Sequence, residues 1–207
     1  VFHQLGAKSI AAKPTADAMA GVDGYKRYFW VKIAKAFTDD TYPKVEALQS
    51  TYSGKQTIRL QSGETISLFE LRNPGVSSNQ TVVRIDKTGD LVVGDLVHSN
   101  NHGWLEGGIV DGKATPTLAG WKAALQELPA LGKGFKSAKV YGGRGDFLPV
   151  AQAVAQQTAY LTRAETVVDA YIARLGDKKA ELLDPAKQGA HHAAIQAELV
   201  KAFPNYA

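Results

Sequence analysis

The period of the apolar residues changes twice along this chain, and that change limits what the chain can fold into. Residues 57–112 alternate apolar and polar side chains between glycine-bearing turns, the pattern of half-buried strands joined by hairpins. On either side, apolar residues recur at intervals of three and four, the pattern of amphipathic helices. The expectation is an α+β fold: an antiparallel sheet of β-hairpins flanked by N-terminal helices and a C-terminal helical hairpin.

Individual elements follow from local signals. Residues 57–61 and 65–71 flank Ser62-Gly63-Glu64, and residues 82–86 and 90–97 flank Lys87-Thr88-Gly89, so two hairpins are expected. Leu91, Val92, Val93, Leu96 and Val97 are apolar on both faces, which predicts a central strand covered on both sides. Residues 104–110 predict a further strand, closed by the turn Asp111-Gly112. Phe29, Ile33 and Phe37 form a stripe that predicts a core helix edged by Lys26, Lys32 and Lys35. A second helix is expected to open at Thr41 and Pro43 and to close at Gly54. Leu118, Trp121, Leu125 and Leu128 line one face of a helix that Pro129 stops. Val154, Leu161, Val168 and Leu175 repeat every seven, and Ile195, Leu199 and Phe203 mark a last helix opening at Asp184-Pro185. Asp146 is placed to cap the first helix of that pair.

The expected organisation is a loosely ordered lead-in over 1–24 and one α+β domain over 25–207. Within it lie a helical part (25–54), the sheet (55–112), a helix (116–128), a basic glycine-rich loop (131–146) and the helical hairpin (147–203). At 207 residues the chain is long enough for one substantial core. It has no cysteine, which excludes disulfides, thiolate metal ligands and a cysteine nucleophile, and which fits a soluble, secreted or translocated protein. The chain begins at Val1 and its single methionine is Met19, so a processed form or excised domain is expected. No apolar run approaches the roughly 18 residues of a membrane span.

The net charge of +4 is unevenly spread. Residues 61–121 carry four Lys/Arg against seven Asp/Glu, whereas residues 122–144 carry five against one. A basic cluster of this kind steers anionic ligands, a nucleotide or RNA among them. Two segments carry groups able to do chemistry. In the loop at the end of the second hairpin, His98, His102 and Glu106 are candidate acid–base residues, with Trp104 beside them as a substrate contact. The glycine-rich segment supplies Lys133, Lys136 and Arg144 as candidate phosphate-binding residues. No metal site is expected, since the His98–Glu106 spacing falls among turn formers and lacks a H-E-x-x-H pattern, and no cofactor motif is present. His191 and His192 are adjacent, project apart and are expected at the surface.

The run Ala124-Leu125-Gln126-Glu127-Leu128-Pro129 followed by Lys139-Val140-Tyr141-Gly142-Gly143 resembles the approach to the catalytic core of ADP-ribosyltransferase toxins. That resemblance implies a dinucleotide held by an arginine on the strand and a catalytic glutamate pair. Here Gly142 stands at the arginine position with Arg144 two residues later, no Ser-Thr-Ser strand follows, and Gln196-Ala197-Glu198 falls within a helical pattern. Three functional expectations result. The first is an effector- or toxin-like enzyme acting on a phosphate-bearing substrate by metal-independent acid–base chemistry. The others are a non-catalytic module binding a protein partner, and a divergent NAD-dependent ADP-ribosyltransferase.

Overall fold

The computed structural model describes residues 5–105, 107–111, 113–115 and 117–206. In chain order it forms β1 (Ile10–Ala12), α1 (Lys13–Tyr28), β2 (Ser50–Tyr52), β3 (Lys55–Arg59), β4 (Thr65–Glu70), β5 (Thr81–Ile85) and β6 (Leu91–His98). There follow β7 (Gly108–Val110), β8 (Lys113–Thr115), α2 (Leu118–Leu125), α3 (Leu128–Leu131), β9 (Lys139–Arg144), β10 (Leu148–Pro149), α4 (Val150–Leu175) and α5 (Gln188–Ala202). The α+β class and the mostly antiparallel sheet agree with the sequence.

The main sheet has the order β10-β9-β6-β5-β4-β3. Both hairpins form around their predicted turns: β3 pairs with β4, Gly63 adopts a φ of +87°, and Gly89 at the β5–β6 turn adopts +78°. One face of this sheet packs on α2 and α4. Val82, Leu91, Leu96 and Val140 meet Trp121, Leu125, Leu128, Ala153 and Leu161 there in one continuous core. Trp121 donates its indole N–H to the Leu96 carbonyl at 2.9 Å, so the largest core side chain also satisfies its polar atom. On the opposite face Ala12 and Tyr52, from the small parallel β1–β2 sheet, cover Leu68 with Ile58 and Val83. That cover is partial. Val92 remains 43% exposed and its cross-strand neighbour Tyr141 38%, so the central strand is sealed on one face instead of two.

The N-terminal part departs from expectation. The lead-in is largely helical, because Pro14 sits in the first turn of α1, where its missing N–H costs nothing. Gly21 and Gly24 face open space and are tolerated within it. The stripe Phe29, Ile33, Phe37 does not enter the core. At Phe29 the helix widens into a π-turn through Ile33, Lys35 turns to φ +52°, and Phe29, Trp30, Ile33 and Phe37 are left exposed. No helix forms over 41–54: residues 43–48 are irregular and β2 begins at Ser50. Pro129 opens the short α3 instead of ending α2. Asp146 does not cap α4, which starts at Val150 directly after Pro149, and α5 starts at Gln188, three residues beyond Pro185. Among the described residues no helix is long and apolar enough to cross a membrane.

Glu127, between α2 and α3, fastens the loop after β4. Its carboxylate accepts the backbone N–H groups of Arg72 (3.2 Å) and Asn73 (3.1 Å) and the Asn73 side-chain amide (2.9 Å). Burial alone would raise this carboxyl, but the hydrogen bonds from Asn73 and Arg72 outweigh it and hold it below its ordinary value. A depressed folded-state value gives stability that is full above the unfolded carboxylate range and is lost as pH falls through the folded value. Glu127→Gln should therefore cost about 1–3 kcal/mol at pH 7, where the Arg72 and Asn73 donors lose their charged acceptor. It should also narrow the gap to wild type at pH 3, in urea unfolding at both values. An equal urea midpoint at pH 7 would show that this carboxylate fastens nothing.

Candidate functional site

The fold departs from antiparallel pairing in one place within the main sheet: β6 and β9 run parallel. Ligands of open sheets gather beyond the carboxyl ends of such strands. Here those ends carry Asp95, His98, Arg144 and the glycines 94, 142, 143 and 145, with Gly94 opposite Gly142 and His98 opposite Arg144. The register is irregular between these pairs, which bends the strand end and turns Asp95 outward.

The glycines explain the approach. A Cβ on Gly142 would run into the Val97 carbonyl, one on Gly143 into the Asp95 carboxylate, and one on Gly145 into the Ser99 carbonyl. The glycine-rich segment is therefore half strand, and its glycines serve close packing on β6. The basic glycine-rich loop expected over 131–146 is thus a strand over Lys139–Arg144. Beyond the strand the Ser99 N–H donates to the Arg144 carbonyl at 3.0 Å and extends the pairing.

His98 is buried, its side chain 1% exposed, while Asp95 is 57% exposed. The imidazole has oxygen on both sides: Nδ1 lies 3.1 Å from the His102 carbonyl and Nε2 3.1 Å from Asp95 Oδ1. A carbonyl and a carboxylate only accept, so both contacts are hydrogen bonds when both ring nitrogens carry hydrogen. The loop that closes over the ring is held by α4. Gln157 Oε1 accepts the His98 N–H at 2.9 Å, and the Tyr160 hydroxyl accepts the Gly103 N–H at 3.1 Å. Burial raises the Tyr160 hydroxyl above its ordinary value, against that hydrogen bond, so it stays neutral.

His102 lies in a different environment. Its ring meets Tyr160, Phe203 and Tyr206 at centroid distances of 6.0, 5.7 and 5.8 Å, an aromatic nest that ties the loop to the end of α5. His98 and His102 are thus joined through a backbone carbonyl and do not present their rings to one point. Trp104 is 60% exposed and faces the side of α1. Glu106 lies outside the described residues. Lys133 and Lys136 precede β9, where Phe135 packs on Gly89 at the β5–β6 turn, whereas Arg144 ends the strand. A six-residue strand spans about 20 Å, so the structure brings Arg144 to His98 and leaves both lysines at the other end. His191 is a joint and not a surface residue: it bonds the Tyr171 hydroxyl at 2.7 Å and faces Glu181 at 3.4 Å.

Sequence reasoning missed Asp95, Gln157 and Tyr160. Asp95 had a signal: it is the one charged residue inside the run Leu91–Val97, next to Gly94. Gln157 and Tyr160 had none, because a polar residue on a helix face reads the same whether it bonds a loop or water.

No protein-family model and no curated protein matches the sequence. Solved structures match its fold. A metallo-β-lactamase from Pontibacter korlensis superposes with a TM-score of 0.53 and 15% identity over 78% of this chain and 60% of its own. The metallo-β-lactamase IND-7 gives 0.52 and 17% over 78% and 60%. The DIM-1 metallo-β-lactamase exposed to ceftazidime gives 0.50 and 18% over 79% and 60%. Identities this low show the fold alone, and the chain spans about 60% of the length of these enzymes. The metal-independent toxin-like enzyme and the ADP-ribosyltransferase expected from sequence are thereby overturned, since the fold is that of metallo-β-lactamase-type hydrolases.

The name of those neighbours raises the question of a metal. Asp95 and His98 place two donors 3.1 Å apart, but a hydrolytic zinc site takes three protein ligands. Among the described residues no group of three His, Asp or Glu converges. The described residues do not by themselves fit a metal ion.

Gly142→Ala should destabilise the protein by about 1–3 kcal/mol, because its new Cβ forces β9 off β6. Gly21→Ala, in open space on α1, should leave stability unchanged or raise it by about 0.5–1 kcal/mol. Thermal unfolding of the two variants checks the pair of signs.

Proposed function

We propose that this chain is a hydrolase-type domain whose reacting face is the carboxyl end of the β6–β9 pair. The observation that carries the reading is the exposed Asp95 carboxylate, held by a buried imidazole at the parallel strand ends of a metallo-β-lactamase-like sheet. Asp95 is the group that meets the reacting centre. His98 is a positioning residue: buried and bonded on both sides, it fixes the carboxylate and is itself fixed by Gln157 and the His102 carbonyl. Arg144, opposite His98 and exposed, supplies positive charge to an anionic part of the substrate.

The test is hydrolysis of a chromogenic β-lactam by the purified protein. Hydrolysis should fall by about 100-fold or more in Asp95→Asn. The melting temperature of that variant should stay within a few degrees of wild type, since the side chain is mostly in water. Arg144→Ala should raise KM more than it lowers kcat. The absence of hydrolysis, or hydrolysis indifferent to Asp95→Asn, would contradict the assignment.

A further inference from the structure

α1 is a 16-residue helix without a single buried residue, although Ala18, Met19 and Val22 share one face of it. In a helix laid on a protein body such a face is ordinarily covered. Here it borders a cavity of about 500 Å³, closed on the other sides by the loop at Val76–Asn79, by Tyr42 and by Trp104 with Ile109. The volume is in the range of small-molecule sites. None of the lining residues belongs to the Asp95–His98 pair, and of the loop held by α4 only Trp104 takes part.

The walls are tied to one another by hydrogen bonds. Asn79 donates its side-chain amide to the Pro14 carbonyl at 3.3 Å, which fixes the loop to the start of α1. The Tyr42 hydroxyl donates to Asp23 at 3.4 Å and fixes the far side. The Ser77 hydroxyl donates to the Asn79 carbonyl at 2.8 Å and tightens the turn. One group in this frame is unsatisfied: the Ser78 hydroxyl is buried, packed against Gly108, and has no hydrogen-bond partner. A polar atom brought within its reach would remove the cost of an orphaned hydroxyl.

We infer that this cavity is a binding site for an uncharged small molecule with an aromatic or alkyl body and one hydrogen-bonding head. The chemistry of the walls selects that class. Ala18, Met19, Val22, Val76 and Ile109 offer apolar surface, a thioether favours an aromatic neighbour, and Trp104 supplies a ring on which one can stack. Asp23 and Lys26 stand together in the lining, so a charged head of either sign meets a like charge as well as an opposite one. A neutral hydroxyl or carbonyl meets no such penalty and can take the Ser78 hydroxyl.

The probe is 2-naphthol, neutral at pH 7, with 2-naphthalenesulfonate as its anionic counterpart. Titration of the ¹⁵N-labelled protein with 2-naphthol should give saturable shifts confined to amides of α1, the Val76–Asn79 loop, Trp104 and Ile109. The dissociation constant should be about 10–100 µM, a fair expectation for so few atoms. The sulfonate should bind at least about tenfold more weakly. Ala18→Trp, which fills the cavity, should abolish the shifts, and Ser78→Ala should weaken 2-naphthol several-fold while leaving naphthalene unchanged. No saturable binding, shifts scattered over the surface, or equal binding by a folded Ala18→Trp would overturn the inference. The wild-type titration decides by itself should that variant fail to fold. It reads no hydrolysis, so its failure and that of the hydrolase assignment are distinguishable.

Discussion

The contact on which the rest depends is the approach of β9 to β6. Three glycines let one backbone lie against the other where a side chain would collide with Val97, Asp95 or Ser99. That closeness sets the parallel register, and the register places Arg144 beside His98. A parallel pair needs a long crossover, and α2 with α3 provides it on the core face. The crossover in turn buries Trp121, whose indole holds the Leu96 carbonyl one residue from Asp95. Steric fit between two strands thus fixes both the core and the site.

The second constraint is polar. A buried histidine must find partners for both ring nitrogens, and a buried backbone N–H must find an acceptor. His98 meets the first through Asp95 and the His102 carbonyl, and the second through Gln157. Each partner comes from a different part of the chain, so the loop cannot shift without breaking several bonds at once. Tyr160 adds a hydroxyl on the same loop and stacks on Tyr206 at 5.4 Å. The site is therefore anchored in the core while its carboxylate faces water.

What was legible in the sequence was local. Gly63 and Gly89 announced their turns because a left-handed backbone demands glycine, and Trp121, Leu125 and Leu128 announced a buried helix face by spacing. The histidine loop was legible as a place of interest, through the density of polar turn formers around His98. The rest depended on distant partners. The glycines at 142, 143 and 145 read as room for an anion to approach the backbone because the approach of a strand leaves the same mark. His102 read as a catalytic ring, yet Tyr160 on α4 and Phe203 and Tyr206 just beyond α5 enclose it from more than fifty residues away. Phe29, Ile33 and Phe37 read as core because spacing reports a shared face and not what lies opposite it.

The chemistry proposed for this chain lies at the carboxyl end of β6 and β9, at Asp95. Titration of the ¹⁵N-labelled protein with a β-lactam tests that placement most directly. Saturable shifts should centre on the amides of Asp95, Ser99 and Arg144. Saturable shifts elsewhere, with none at those three, would contradict it.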